Sequence, residues 1–190
     1  MLHGTGGDEH SLLPLARALD GNAALLSARG NVLEGSAPRF FRRLAEGVFD
    51  EQDLILRTND LADFVDEAAD KYGFDRGQVI VVGYSNGANI AASLLLLRPE
   101  SACGAVLLRA MVPLQPTTLP NLIGKHVLML TGEFDPILPP ENAQRLATML
   151  RQYGADVTYE LLRSGHELTR RDIELATEWL ASTACPPENR

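Results

Sequence analysis

Gln78-Val79-Ile80-Val81-Val82-Gly83-Tyr84-Ser85-Asn86-Gly87-Ala88-Asn89-Ile90 is the stretch that decides the fold. An apolar run over 78–82 breaks into Gly-Tyr-Ser-Asn-Gly and continues as a helical stretch from Ala88 to Leu97. The pattern predicts a buried strand, a sharp turn and a helix, with a serine at the corner. A serine in a strained turn at a strand end projects its hydroxyl clear of the sheet. Side chains at 83 and 87 would collide with the turn and the neighbouring backbone, so glycine is required at both. The Asn86 amide opens the helix, where the positive end of the dipole suits a donor to a developing oxyanion. On these five residues alone, a glycine-rich strand–helix turn without chemistry reads the same way.

Outward from this stretch, apolar runs and helix-period segments alternate. That alternation predicts one α/β domain over 1–190, built on a mostly parallel sheet with helices on both faces. The expected strands are Ala23–Ser27, Gln78–Val82, Gly104–Leu108, His126–Leu130 and Asp156–Leu162. The middle three are nearly continuous Val, Ile, Leu and Met, as in strands covered on both faces. Leu54, Leu61, Phe64, Val65, Ala68, Ala69 and Tyr72 form a helical stripe, with Asp53 as N-cap and Gly73 as stop. Further helices are expected over Leu12–Leu19, around Ala143–Leu150 ending at Gly154, and from near Thr169 onward. Residues 29–52 read as a long loop and a short helix, and the tail Pro186–Arg190 as frayed.

Two loops supply partners for Ser85. Thr131-Gly132-Glu133-Phe134-Asp135-Pro136 follows the strand 126–130, and Ser164-Gly165-His166 follows the strand 156–162. In a parallel sheet all strand C-terminal ends lie on one edge, where ligands bind. Ser85, Asp135 and His166 therefore converge there, in the chain order Ser…Asp…His that α/β-hydrolases use. Asp135 is preferred to Glu133 because it lies two residues further along the loop, letting its carboxylate turn back towards His166. Glu133 is the reserve. His126 begins a strand and belongs to the opposite edge; His10 reads as a surface residue. Each member alone has an ordinary reading, as a turn aspartate or a surface histidine.

The opening Leu2-His3-Gly4-Thr5-Gly6-Gly7 is rich in small residues that let a backbone amide approach a substrate carbonyl. The Thr5 and Asn86 amides would make a two-donor oxyanion hole. His3 is expected to hold the loop's shape. A phosphate-cradling reading lacks the Gly-Lys-Ser/Thr ending.

These segments, together with Gly132-Glu133-Phe134-Asp135-Pro136 and Gly165-His166, resemble the phospholipase/carboxylesterase family of α/β-hydrolases across nearly the whole chain. Arg29-Gly30-Asn31-Val32 and Arg39-Phe40-Phe41-Arg42-Arg43 resemble a bacterial branch with members tied to hydroquinone-stress operons. The resemblance implies a small cytoplasmic serine esterase without a large lid, often a homodimer, acting on small carboxylic esters. It places the same triad on Ser85, Asp135 and His166. In this fold an inner strand runs into the His-Gly loop, yet only Met1 and Leu2 precede His3, so the expectation is that the N-terminal strands are truncated.

The segment 29–43 should border the site, its arginines pairing with Glu34, Glu46 and other acids. Phe40, Phe41, Met111 and Leu138 are candidate pocket walls, as is Val112. The expected function is a serine carboxylesterase using an acyl-enzyme on Ser85. An acyl-thioesterase or lysophospholipase would use the same triad, and a catalytically weak binding protein would keep the same pocket.

Composition narrows the classes. With 17 Lys and Arg against 25 Asp and Glu, the net charge of −8 opposes binding to nucleic acid or anionic membranes. No apolar run approaches the ~20 residues of a membrane span. No basic segment leading into an apolar one opens the chain. Cys103 and Cys185 lack CxxC spacing and read as reduced thiols of a cytoplasmic protein. Four scattered histidines without HExxH or a Cys/His cluster give no metal site, and the triad chemistry calls for no cofactor.

Overall fold

The computed structural model describes residues 1–183; the expectations for Cys185 and for the tail 186–190 lie outside the described residues. In chain order the elements are α1 (Leu13–Leu19), β1 (Val32–Glu34), β2 (Ala37–Arg39), β3 (Arg43–Ala45), β4 (Val48–Phe49), α2 (Glu51–Tyr72), β5 (Ile80–Tyr84), α3 (Asn86–Leu97), β6 (Gly104–Leu108), β7 (His126–Gly132), α4 (Pro140–Gln152), β8 (Asp156–Leu162) and α5 (Arg170–Ser182). β5, β6, β7 and β8 form a parallel four-stranded sheet in that order. The register aligns Tyr84, Leu108 and Leu130 across the first three strands, so their C-terminal ends share one edge.

The apolar runs explain the layering. Ala105, Leu107, Val127 and Met129 face one way, into a core shared with Leu54 and Leu61 of α2, Leu94 of α3 and Leu146 of α4. Val106, Leu108, Leu128 and Leu130 face the other way, against Leu19 of α1 and Ala176 of α5. β6 is buried along its whole length because both faces are covered. No helix of the described residues is long and apolar enough to cross a membrane.

Helix ends follow local chemistry. α2 starts earlier than the apolar stripe suggested: Asp50, not Asp53, is the N-cap, its carboxylate accepting from the Asp53 amide at 3.1 Å. α2 stops at Gly73, at φ 71°. A 3-10 turn over Arg76–Gln78 delays β5 to Ile80.

Three further expectations are corrected. Residues 29–52 hold two antiparallel hairpins, β1–β2 and β3–β4, followed by the start of α2, in place of a loop and a short helix. Ala23–Ser27 is not a strand. Leu2 instead forms single parallel bridges, to Ala28 on one side and to Gly83 on the other. Its amide donates to Val82 O at 2.9 Å and its carbonyl accepts from the Tyr84 amide at 3.1 Å. Beside it, the Ala28 amide donates to Met1 O at 3.4 Å and the Met1 ammonium to Leu26 O at 2.7 Å. Finally, Cys103 is disulfide-bonded rather than a reduced thiol, so it no longer argues for a reducing compartment.

Candidate active site

Ser85 occupies the corner between β5 and α3 at φ 54°, a region L-residues rarely adopt. The corner is packed backbone to backbone. A Cβ on Gly83 would run into Gly87 and Ala88, and one on Gly87 into the carbonyls of Leu2 and His3. The Ser85 amide donates to Leu108 O at 2.9 Å, which pins the turn to β6.

The structure brings the three expected side chains together. Ser85 Oγ lies 2.9 Å from His166 Nε2, and His166 Nδ1 lies 2.7 Å from Asp135 Oδ2. Asp135 Oδ1 accepts from the amides of Ile137 at 2.9 Å and Leu138 at 3.0 Å. The Asp135 side chain is fully buried, and as a carboxylate it can only accept, which assigns the imidazole proton to Nδ1 and leaves Nε2 to accept from serine. Glu133 points to the surface, 4.0 Å from Arg163. His126 sits at the opposite sheet edge against Asp156, and His10 is exposed beside Glu9.

The His166 loop is tied to the Ser85 strand. Tyr84 donates its hydroxyl to the His166 carbonyl at 3.2 Å, and the two rings lie 5.5 Å apart. Burial pushes the Tyr84 phenol above its ordinary value, which keeps it a donor.

The loop opposite Ser85 is held from behind. Neither the Thr5 nor the Asn86 amide has an acceptor among the described residues, whereas Gly6 donates to Pro38 O at 2.9 Å and Gly7 to Gly4 O at 3.0 Å. Arg39, almost wholly buried, donates to Thr5 Oγ1 at 2.7 Å and to Phe41 O at 3.2 Å, with Glu34 3.4 Å away. Burial pulls its guanidinium below the ordinary value. Asn86 Oδ1 accepts from the Phe40 amide at 2.7 Å. The sequence marked Asn86 for its backbone amide and Arg39 for pairing with acids, but not these side-chain contacts, whose partners lie 34 and 46 residues away in the chain.

His3 is buried and uses both ring nitrogens: Nδ1 donates to Gly4 O at 2.7 Å and Nε2 accepts from the Gly30 amide at 2.9 Å. His3→Ala strands that amide, at ~1–3 kcal/mol, and should lower Tm by roughly 2–4 °C per kcal/mol lost. A thermal melt checks this; an unchanged Tm would make the bridge irrelevant to stability.

The pocket expectations separate. Phe41 has no exposed surface and packs edge-on against Phe49, so it belongs to the core. Leu138 is 2% exposed and serves the Asp135 turn through its backbone. Phe40 stacks on His3 and, with Ala28, Leu61, Phe64 and Ile90, lines a cavity of about 550 Å³ that Ser85 does not border. Met111 is half-buried, its amide held by Asn89 Oδ1 at 2.9 Å and its side chain facing the Gly47 turn of the β3–β4 hairpin. Val112 is held likewise, by Asn142 Oδ1 at 2.8 Å. Most arginines of segment 29–43 pair as expected: Arg43 with Glu34 at 2.6 Å and Glu46 at 3.9 Å, Arg29 with Glu9.

Known proteins resemble this chain in sequence and fold. Residues 42–184 match the phospholipase/carboxylesterase family. The Bacillus subtilis (strain 168) hydrolase MhqD is 50% identical over 179 residues, which span 94% of this chain and 90% of that protein. The crystal structure of the Bacillus cereus carboxylesterase superposes with a TM-score of 0.92 at 52% identity, covering 95% of this chain and 85% of that one. The carboxylesterase from Mesorhizobium loti gives 0.91 at 35% identity, with 96% and 87% covered. On the family match and these relatives, the chain belongs to the phospholipase/carboxylesterase family of hydrolases and has the α/β-hydrolase fold.

Proposed function

We propose that the protein is a serine carboxylesterase that hydrolyses small carboxylic esters through an acyl-enzyme on Ser85. The observation that carries this reading is the continuous relay from Asp135 through His166 to Ser85, with contacts of 2.7 and 2.9 Å. Ser85 Oγ attacks the ester carbonyl while His166 Nε2 takes its proton. Asp135 holds the imidazole in the required tautomer and stabilises its charged form. The carbonyl oxygen becomes an oxyanion, received by the Thr5 and Asn86 amides. Collapse expels the alkoxide, which leaves as alcohol with the proton from His166. Water, deprotonated by His166, then attacks the acyl-enzyme, and the acid departs as Ser85 regains its proton. No step calls on a metal or cofactor.

The small-ester part of the reading draws on Phe41 and Leu138, two expected pocket walls that are instead shut into the core. A panel of nitrophenyl esters from acetyl to lauroyl, with an acyl thioester beside it, tests the substrate class. The expected kcat/KM is highest for the short esters and falls with chain length. A maximum at lauroyl, or a thioester hydrolysed faster than its oxygen counterpart, would overturn the small-ester assignment.

A further inference from the structure

Arg109 follows β6 directly and is wholly buried, yet it lies in neither the relay nor the oxyanion loop. Its backbone is at φ 60°, a conformation a non-glycine residue keeps only when its surroundings hold it there. Its amide donates to Leu130 O at 2.9 Å, and the residue before it, Leu108, accepts from the Ser85 amide. β6 therefore connects the strand that carries the serine to the strand that leads to the aspartate.

The side chain then reaches the third member. Arg109 Nε donates to Gly165 O at 3.0 Å, and Nη2 to Ser164 Oγ at 3.1 Å and Glu167 O at 2.9 Å. Those acceptors flank His166 on both sides. The guanidinium is itself anchored: Nη1 and Nη2 lie 2.7 and 3.1 Å from the two oxygens of Asp172, and Nη1 also reaches Leu130 O at 3.2 Å. Asp172 in turn accepts from the Thr169 amide and hydroxyl at the start of α5. A planar guanidinium has five N–H donors in fixed directions for these six acceptors, so that only Nη2 has to share a hydrogen; an ammonium with three hydrogens cannot serve them.

We propose that Arg109 is a positioning residue for His166, clamping the loop 164–167 so that the imidazole keeps its reach to both Ser85 and Asp135. The proposal rests on the serine-esterase reading above. Arg109 touches no substrate; it acts through the histidine. A misplacement of about 1 Å at a reacting group can cost on the order of 10²-fold in rate, which sets the scale of the effect.

The test is Arg109→Lys, which keeps the charge opposite Asp172 but loses the fork, assayed on a short nitrophenyl ester with active sites counted by exhaustive fluorophosphonate labelling. The expected result is a kcat per labelled site lower by ~10–10²-fold with KM within about twofold. The low-field proton resonance of the His166–Asp135 hydrogen bond should be lost or broadened. A merely structural role would lower Tm and leave kcat per labelled site and that resonance unchanged, overturning the proposal. If Arg109→Lys does not fold, Asp172→Asn, which loosens the anchor, decides by the same readouts: a smaller loss confined to kcat supports the clamp, and a wild-type kcat overturns it. Ser85→Ala is run in parallel. An active Ser85→Ala defeats the underlying esterase reading, whereas an inactive one beside a full-rate Arg109→Lys defeats only the clamp.

Discussion

Ser85→Ala is expected to leave the fold intact and to remove at least ~10³-fold of kcat. The hydroxyl is half-buried at a corner whose geometry is set by backbone contacts of Gly83, Gly87 and Leu2, none of which uses the serine side chain. Among the described residues its one side-chain hydrogen bond is to His166, within the relay. Removing the oxygen therefore costs little stability and deletes the proposed nucleophile. On the proposed reading the site left behind still offers the Thr5 and Asn86 amides to an oxyanion, which gives a residual rate above water rather than turnover. The measurement is kcat on a short nitrophenyl ester with circular dichroism as the fold control. Near wild-type turnover would refute Ser85 as the nucleophile.

Asp135→Asn should lose far more activity than Glu133→Gln. Asp135 Oδ2 accepts from His166 Nδ1, and its other oxygen accepts two backbone amides. An amide can satisfy those backbone donors only through its oxygen, which turns its NH2 towards the imidazole. His166 must then accept at Nδ1, placing the proton on Nε2, where it cannot take one from serine. A kcat loss of about 10³–10⁴-fold is the expected scale. Among the described residues Glu133 is exposed and its side chain makes only a long contact with Arg163, so Glu133→Gln should fall within about twofold of wild type. Steady-state kinetics of the two variants decide it, and the reverse ranking would move the acid to Glu133.

What was legible in the sequence follows from where the information sits. β6 and β7 carry their burial in continuous apolar runs, so the parallel sheet and its two covered faces could be read directly. Ser85, Asp135 and His166 each follow a strand, so topology alone placed them at one edge. The hairpins β1–β2 and β3–β4 escaped because strands of two or three residues are too short to show a period of two. The cap moved from Asp53 to Asp50 because both are capping types at the same helix start. Phe40 and Phe41 are neighbours with opposite fates, one against His3 and one in the core, a difference that composition cannot express. Arg109 gave no local signal, since its ion partner Asp172 lies 63 residues further on. The same holds for Cys103, whose sequence spacing carries no information about which residues are near it in space.

The central claim is a covalent acyl intermediate on Ser85. Mixing the protein with a slowly deacylating short-chain ester, quenching in acid and digesting with a protease reads it by mass spectrometry. The account predicts a mass increase equal to the acyl group on the peptide containing Gly83-Tyr84-Ser85-Asn86-Gly87, absent in Ser85→Ala. An adduct on a different residue, or hydrolysis under conditions where no adduct forms on that peptide, would contradict it.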